Sequence, residues 1–215
     1  MTNLQANFNN SDNWTLLDNI EQLTSLLSEV EMNELFDKNH NPFNSFEFLL
    51  ALEKSHSIGE HSGWISRYCL YKNEQEVGLF ICFEKTNSYG EYVFDWAWAD
   101  AYHRNGIEYY PKLVATIPFS PVPCNKWLSN TQHNELDAFK VVNNFCQQQL
   151  RKDYSSCHYL FPSTSLQNVE GTQWIARCGH QFHWFNQNEN HNQLGSFEQY
   201  LSLMTARKRK NIVKE

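Results

Sequence analysis

Apolar residues return at helical spacing in several long segments of the chain. From Trp14 to about Phe36, leucine, isoleucine and valine recur every three or four positions, which predicts an amphipathic helix. Ser45 can accept a hydrogen bond from the first turn of a second helix, which is predicted over Phe46–Glu53. The remaining predicted helices are Ala97–Asn105, closed by Gly106, Leu136–Leu150, Ser165–Cys178, closed by Gly179, and Phe197 to about Lys210, capped by Ser196.

Shorter apolar runs between turn residues predict the β-strands. Trp64–Tyr71 and Val77–Lys85 flank the polar segment KNEQE, which predicts a β-hairpin. Strands are also predicted over Tyr92–Asp95, Leu113–Ile117, His158–Phe161 and Gln181–Phe185. Strands early in the chain, followed by alternating helices and strands, predict an α+β fold with helices flanking a central mixed β-sheet.

Composition is typical of a globular protein. The chain has 215 residues, of which 41% are hydrophobic and 15% aromatic, enough for one sizeable core. The asparagine-rich residues 1–14 predict a flexible N-terminus without the basic start and apolar block of a secretory signal. No apolar run reaches the roughly 18 residues of a membrane span. The cysteines are scattered, so we expect reduced thiols and a cytoplasmic location.

The charge is distributed unevenly along the chain. The formal net charge is −7, yet the last ten residues, ARKRKNIVKE, carry five basic groups and one acidic group. An acidic body disfavours binding to a nucleic-acid duplex, so any such contact, for example to tRNA, is expected to concentrate on this tail. Compensation of a helix dipole and a junction with another module are the alternatives, and we favour a junction or a solvated tail.

Four motifs carry a resemblance to a known family. They are NPFNSFEFLLALEKSHSIGEHSGW, SYGEYVFDWAWADAYHRNGIEYYPKL, QFHWFN and ARKRKNI. From about Asn41 onward, the chain resembles the FemAB-like family of peptidoglycan biosynthesis or recognition, which belongs to the Gcn5-related N-acetyltransferase superfamily. The resemblance implies an acetyltransferase-like module over residues 15–205 and a basic tail or linker over 206–215. Members look roughly twice as long, so this chain is similar to their N-terminal half, with the second module expected to follow.

The resemblance also implies a function. Better-studied Fem transferases pair two modules and add amino acids from aminoacyl-tRNA to a peptidoglycan precursor. By analogy, this chain is expected to be the acceptor-binding half of an acyl or aminoacyl transferase, completed by a second module or a second copy. The alternative is a non-catalytic module that recognises a cell-wall peptide, glycan or protein.

A cofactor is not expected in this half. Coenzyme A binding in the superfamily needs a glycine-rich turn with bare amides before the long helix. The corresponding segment, between Ile117 and Leu136, has no glycine and three prolines, which lack amide hydrogens. Acetyl-CoA or aminoacyl-tRNA is therefore expected only as a donor in the full-length protein.

The segment SYGEYVFDWAWADAYHRNGIEYYPK, residues 88–112, holds the candidate site. In an extended backbone alternate side chains share a face, so we expect its rings to pack inward and its carboxylates to line a groove. Asp95 and Asp100 would bind a substrate amine or orient a nucleophile there, and Arg104 or Lys112 would hold a carboxylate or phosphate. The alternative is an internal network in which Asp95 or Glu91 pairs with Arg104. No catalytic residue is assigned, and the predicted substrate-binding residues are Tyr89, Glu91, Asp95, Trp96, Asp100, Tyr110, Lys112 and His183.

A metal site is not predicted. Cys178, His180 and His183 lie close in sequence, but in a strand the two histidines point to opposite faces. His183 is instead expected to line the groove as a hydrogen-bonding group or proton carrier.

Overall fold

The structure is a computed structural model that describes residues 13–37, 41–131, 134–147, 153–164, 166 and 174–214. The chain divides into two compact units, Met1–Trp174 (the first unit) and Ile175–Glu215 (the second unit). Helices and two β-sheets occur together, which confirms the predicted α+β class. The domain boundaries predicted at residues 15–205 and 206–215 stay predictions.

The strands of the described residues all lie in the first unit. In chain order they are β1 (Trp14–Leu17), β2 (Trp64–Ser66), β3 (Tyr68–Lys72), β4 (Val77–Phe80), β5 (Phe83–Lys85), β6 (Lys112–Ala115), β7 (Trp127–Ser129) and β8 (Cys157–Tyr159). The helices are α1 (Leu23–Leu26), α2 (Glu29–Phe36), α3 (Phe46–Lys54), α4 (Trp96–Arg104), α5 (Glu135–Phe145), α6 (Phe197–Ser202) and α7 (Ala206–Lys214). Short 3₁₀ turns cover Ile20–Gln22, Pro42–Asn44 and Glu60–Ser62.

One long β-hairpin is the framework of the first unit. β2 and β3 form its first arm, and β4 and β5 form its second arm. Both ends keep one register, and the Arg67 amide donates to the Cys82 carbonyl at 3.0 Å where the two halves meet. The predicted hairpin is confirmed.

The two halves of the hairpin belong to different sheets. β3 and β4 are the central strands of an antiparallel sheet in the order β1-β3-β4-β7. β5 lies in a second sheet, in the order β2-β5-β6-β8, where β6 and β8 are parallel. Because β5 pairs with β6, Lys85 lies directly opposite Lys112.

Two apolar clusters stabilise these sheets. The first joins α1, α2 and α3 to the hairpin and includes Ile20, Leu23, Leu35, Leu49 and Leu79. The second joins α5 to β3, β4 and β7, with Phe145 stacked 4.1 Å from Trp14. Full burial of one such side chain contributes about 1.5–3 kcal/mol, so these clusters are the main stabilising feature of the first unit. All the cysteines are free.

The predicted helix from Trp14 to Phe36 is wrong in its first part. Trp14–Leu17 forms a strand that pairs with β3, and only α1 and α2 follow as helices. Ser28 starts α2 with a capping box that involves Glu31, so the chain begins a new helix there. The local periodicity suits a helix, but the open edge of β3 and the stacking of Trp14 favour a strand.

Other predictions in the first unit have mixed outcomes. Ser45 caps α3, and Gly106, at φ 68°, follows the end of α4, both as predicted. The strand predicted over Tyr92–Asp95 is absent, because Tyr92 has a positive φ of 57° that breaks the extended backbone.

The second unit differs most from its prediction. Ser196 caps α6 as predicted, but the single helix expected to Lys210 is divided into α6 and α7. Gln181–Phe185 is irregular rather than a strand. Residues 174–178, the end of the helix predicted over Ser165–Cys178, are also irregular. Residues 165 and 167–173, which belong to the helix predicted before Gly179, lie outside the described residues. Within the described part of the chain, no helix has the length and apolar character needed to cross a membrane.

Candidate functional site

A fully buried ion cluster lies beneath the segment that follows the hairpin. The Lys112 ammonium, at the start of β6, is its centre. It donates to Ser88 Oγ at 3.0 Å, to Glu91 Oε2 at 2.8 Å and to Asp95 Oδ2. These acceptors use the three protons of the ammonium, and the Lys112, Glu91 and Asp95 side chains have no exposed surface.

A second buried lysine joins the cluster through the strand register. Lys85 lies opposite Lys112, and two like charges at paired positions repel each other. The carboxylates of Glu91 and Asp95 balance these two cations, which is why all four groups can be buried together. Lys85 Nζ also lies 3.8 Å from the centroid of the Trp64 ring, where a cation is attracted to the π face.

Two tyrosines that precede β6 form hydrogen bonds with members of the cluster. The Tyr109 hydroxyl donates to Asp95 Oδ2 at 2.6 Å, and Tyr110 OH lies 2.7 Å from Ser88 Oγ. The peptide bond between Tyr110 and Pro111 is cis. Asp95 therefore receives hydrogen bonds from both a lysine and a tyrosine.

Burial and charge shift the pKa values of the cluster in different directions. Burial raises the pKa of Glu91, although the Lys112 ammonium opposes this change. Burial also acts to raise the pKa of Asp95, but hydrogen bonds from Lys112 and Tyr109 outweigh it, so the pKa is lowered. Burial, together with Lys112, lowers the pKa of Lys85 to about 8. The pKa of Tyr109 is raised, first by burial and then by its bond to Asp95.

The described residues include one group that could contact a metal ion. One ligand atom from each of Glu91, Asp95 and His158 lies within 4.8 Å of the others. The Lys112 ammonium already donates to both carboxylates and stands in the place of a cation. We therefore assign this cluster to charge pairing and not to metal binding.

The orientation predicted for the segment 91–96 is wrong. Glu91 and Asp95 do share one side, but they are 1% and 0% exposed, whereas Tyr92, Phe94 and Trp96 are 56%, 77% and 45% exposed. The two lysines on the neighbouring strands draw the carboxylates inward. Asp95 precedes α4 but makes no side-chain cap to it, because its carboxylate is bonded to Lys112.

Because the rings of this segment point outward, they form an exposed aromatic surface, which we define as Tyr89, Tyr92, Phe94, Trp96 and Trp98. All five side chains are exposed. The rings of Tyr89 and Trp96 lie 5.2 Å apart in an edge-to-face arrangement. The predicted residues Tyr89 and Trp96 are therefore accessible to a ligand, whereas Glu91, Asp95 and Lys112 are not.

An exposed ion pair continues this surface along α4. Trp96, Asp100 and Arg104 are spaced four residues apart and so follow one face of the helix. Arg104 Nη2 and Asp100 Oδ2 are 2.5 Å apart, with both side chains more than half exposed. The predicted internal pairing of Arg104 with Glu91 or Asp95 is wrong, because Lys112 takes that place.

The other predicted residues are Tyr110, in the first unit, and His183, in the second unit. Tyr110 is half-buried against Ser88. His183 is exposed in the second unit, with Nε2 3.0 Å from Gln181 Oε1. Cys178 and His180 are exposed in the same unit.

Sequence reasoning missed several members of the cluster, namely Trp64, Lys85, Ser88 and Tyr109. The signal for Lys85 was its position at the end of an apolar strand, where a lysine needs either solvent or a buried counter-charge. Only the pairing of β5 with β6 shows that Lys85 is placed beside Lys112 and its buried counter-charges.

Comparisons with known proteins give one match. A family model described as FemAB-like, for peptidoglycan biosynthesis or recognition, matches residues 24–215. No curated protein and no solved structure matches the chain.

Proposed function

The chain belongs to the FemAB-like family of peptidoglycan biosynthesis or recognition, and from this premise we propose that it binds the acceptor of an N-acyl or aminoacyl transfer. The acceptor is a muramyl peptide or a related peptidoglycan precursor that carries a free amine. The binding site is the aromatic surface together with Asp100 and Arg104. The observation that carries this proposal is a set of exposed rings held over a sealed ion cluster.

The chemistry of the aromatic surface fits such an acceptor. Exposed aromatic side chains grouped in one segment are costly in water and are typical of binding sites. Ring faces such as those of Tyr89 and Trp96 can pack against the apolar face of a sugar. A peptide stem adds amines and carboxylates, for which Asp100 and Arg104 are the complementary exposed charges.

The ion cluster supports this surface from below and does not contact the acceptor. Ser88, Glu91 and Asp95 are three points at which the buried Lys112 holds the segment that carries the rings. A surface fixed in this way loses less conformational entropy on binding than a mobile loop would.

The transfer step in this proposal follows the family resemblance. The acceptor amine would attack an activated acyl carbonyl, and orientation with an oxyanion donor would count for more than a strong base. The donor, acetyl-CoA or aminoacyl-tRNA, would be bound by a second module or a second copy of the chain.

Calorimetric titration with a muramyl peptide tests the binding site. We expect Trp96→Ala to weaken binding about tenfold, equal to about 1.4 kcal/mol, because it removes a ring that packs against the ligand. Asp100→Asn should weaken it about threefold, because the amide loses charge but keeps the shape of the side chain. Val30→Ala, at an exposed apolar residue on α2 of the first unit, is the control and should bind like the wild type. Equal affinity of all the variants would contradict the proposal.

A non-catalytic recognition module is the second candidate. The burial of Glu91, Asp95, Lys85 and Lys112 favours it, since these groups cannot exchange protons with a ligand on the surface. Incubation of the chain with muramyl peptide and each donor in turn distinguishes the two. An acylated product detected by mass spectrometry supports the transferase, and binding without product supports recognition.

A further inference from the structure

Lys85 has a contact that the charge balance of the cluster does not explain. Its Nζ donates to the backbone carbonyl of Tyr89 at 3.2 Å and lies 3.4 Å from Asn87 Oδ1. The same Tyr89 carbonyl accepts a second hydrogen bond, at 3.1 Å, from the Trp64 indole. One carbonyl of the aromatic surface is therefore held by two buried side chains from the neighbouring strands.

The backbone on both sides of this carbonyl is also constrained. Ser88 is buried and bonded to Lys112. Gly90 has φ +77°, and a Cβ there would lie 2.7 Å from the Phe119 ring and 3.2 Å from Trp64 Nε1. Tyr89 therefore has an exposed ring on a fixed backbone, and that backbone sets where its ring meets Trp96.

We propose that Lys85 is the positioning residue of the aromatic surface, and that its ammonium form holds Tyr89 and Trp96 in the arrangement that binds the acceptor. The acceptor part of this inference rests on the proposed function, whereas the positioning part does not. In the charged form, Lys85 makes a charge-assisted bond to the Tyr89 carbonyl and a cation–π contact with Trp64. In the neutral form, both contacts weaken.

The electrostatic surroundings of Lys85 place the change between its charged and neutral forms near neutral pH. The ionisable groups around it are Lys112 on β6, Glu91 and Asp95 on the following segment, and, beside these carboxylates, His158 on β8. Burial and the Lys112 charge favour the neutral form, so the pKa of about 8 lies close to physiological pH. Binding of the acceptor should therefore weaken as the pH rises through about 8.

NMR of the indole N–H groups tests the positioning without any ligand. In the wild type, the Trp64 and Trp96 resonances should shift with a midpoint near pH 8. Lys85→Arg, which stays charged throughout, should keep the low-pH positions up to pH 9.5. Lys126→Met is the matched control, because Lys126 is also buried with a pKa of about 8 but contacts the Cys124 and Phe161 carbonyls instead. Its midpoint should be that of the wild type.

Muramyl-peptide binding from pH 6.5 to 9.5 then tests the link to function. The wild type should lose about tenfold in affinity across this range, and Lys85→Arg should lose little. Resonances that titrate equally in Lys85→Arg, or that cease to titrate in Lys126→Met, would overturn the positioning role. A wild type that shows the NMR titration but binds no muramyl peptide at any pH would contradict the proposed function and leave the positioning role supported.

Discussion

Replacement of Lys112 by methionine tests whether the ion cluster is a sealed structural centre. The substitution keeps most of the side-chain volume and removes the ammonium that serves Glu91 and Asp95. It leaves two carboxylates without exposed surface and removes their nearest cation. Lys85 remains, but its Nζ is directed at the Tyr89 carbonyl.

The expected loss is large because the remaining charges stay buried. Breaking a buried ion pair by removing one partner costs about 3–5 kcal/mol. Here the second oxygens of the carboxylates, Glu91 Oε1 and Asp95 Oδ1, already have no hydrogen-bond partner among the described residues. We therefore expect about 4–5 kcal/mol at pH 7, which is a large part of the stability of a typical domain.

The loss should also depend on pH with a definite sign. Without the ammonium, burial raises the pKa of both carboxyl groups above the unfolded value of about 4. The folded variant then binds protons that the unfolded chain has released, so its stability falls as the pH rises from about 4 to 7. The deficit relative to the wild type is therefore smaller at pH 5 than at pH 7.

Urea unfolding followed by tryptophan fluorescence at pH 5 and pH 7 measures both quantities. Lys54→Met is the matched control, since Lys54 pairs with Glu21 at 2.8 Å with both side chains more than half exposed. Such a pair contributes less than about 1 kcal/mol, with little change between the two pH values. A loss below about 1 kcal/mol for Lys112→Met, equal at both pH values, would refute the reasoning.

Three further predictions concern other buried or constrained positions. Lys126 has a pKa of about 8 in the folded protein and about 10.4 in the unfolded chain. Between these pH values only the unfolded chain holds the proton, so the stability of the wild type should rise with pH. Urea unfolding should show a rise of about 3 kcal/mol in total relative to Lys126→Met as the pH passes from 8 to 10.4. Gly90→Ala should destabilise the protein by about 2–3 kcal/mol in thermal melts, because the added Cβ would contact the Phe119 ring and Gly90 has a positive φ. Gly106→Ala, at a position with a positive φ but open space, should cost about 1 kcal/mol. Equal effects of the two substitutions would contradict the role of the Phe119 contact. A thiol reagent should modify the exposed Cys178 in the folded protein. It should modify Cys82 only after unfolding, because Cys82 is buried and burial raises its pKa. Peptide mass spectrometry that finds Cys82 labelled before unfolding would contradict this prediction.

Features that depend on a few neighbouring residues agree well with the structure. The Ser45 and Ser196 caps are present because a hydroxyl three residues before a free amide needs no distant partner. The hairpin is present because two apolar arms flank a polar turn. The segment from Trp14 to Phe36 shows the limit of such patterns, since its first residues form a strand that pairs with β3.

The candidate site also contains residues whose placement was predicted correctly and residues whose placement depends on distant partners. Tyr89, Trp96 and Asp100 are exposed where a ligand could reach them, as a binding role requires. Glu91, Asp95 and Lys112 do lie together, but their direction was predicted wrongly, and Lys85 was not foreseen. Whether the carboxylates or the rings face inward depends on what lies beneath the segment, and the segment itself does not contain that information.

The sequence by itself determined the α+β class, the hairpin, the helix caps and the family. These follow from local backbone geometry and from motifs that can be read without a partner. The tertiary structure alone decided that Glu91 and Asp95 lie on one side and that this side faces inward, because both carboxylates bind Lys112 and the register of β5 against β6 places Lys85 opposite Lys112. Two buried cations need two buried anions, and meeting that need turns the aromatic rings out to the solvent.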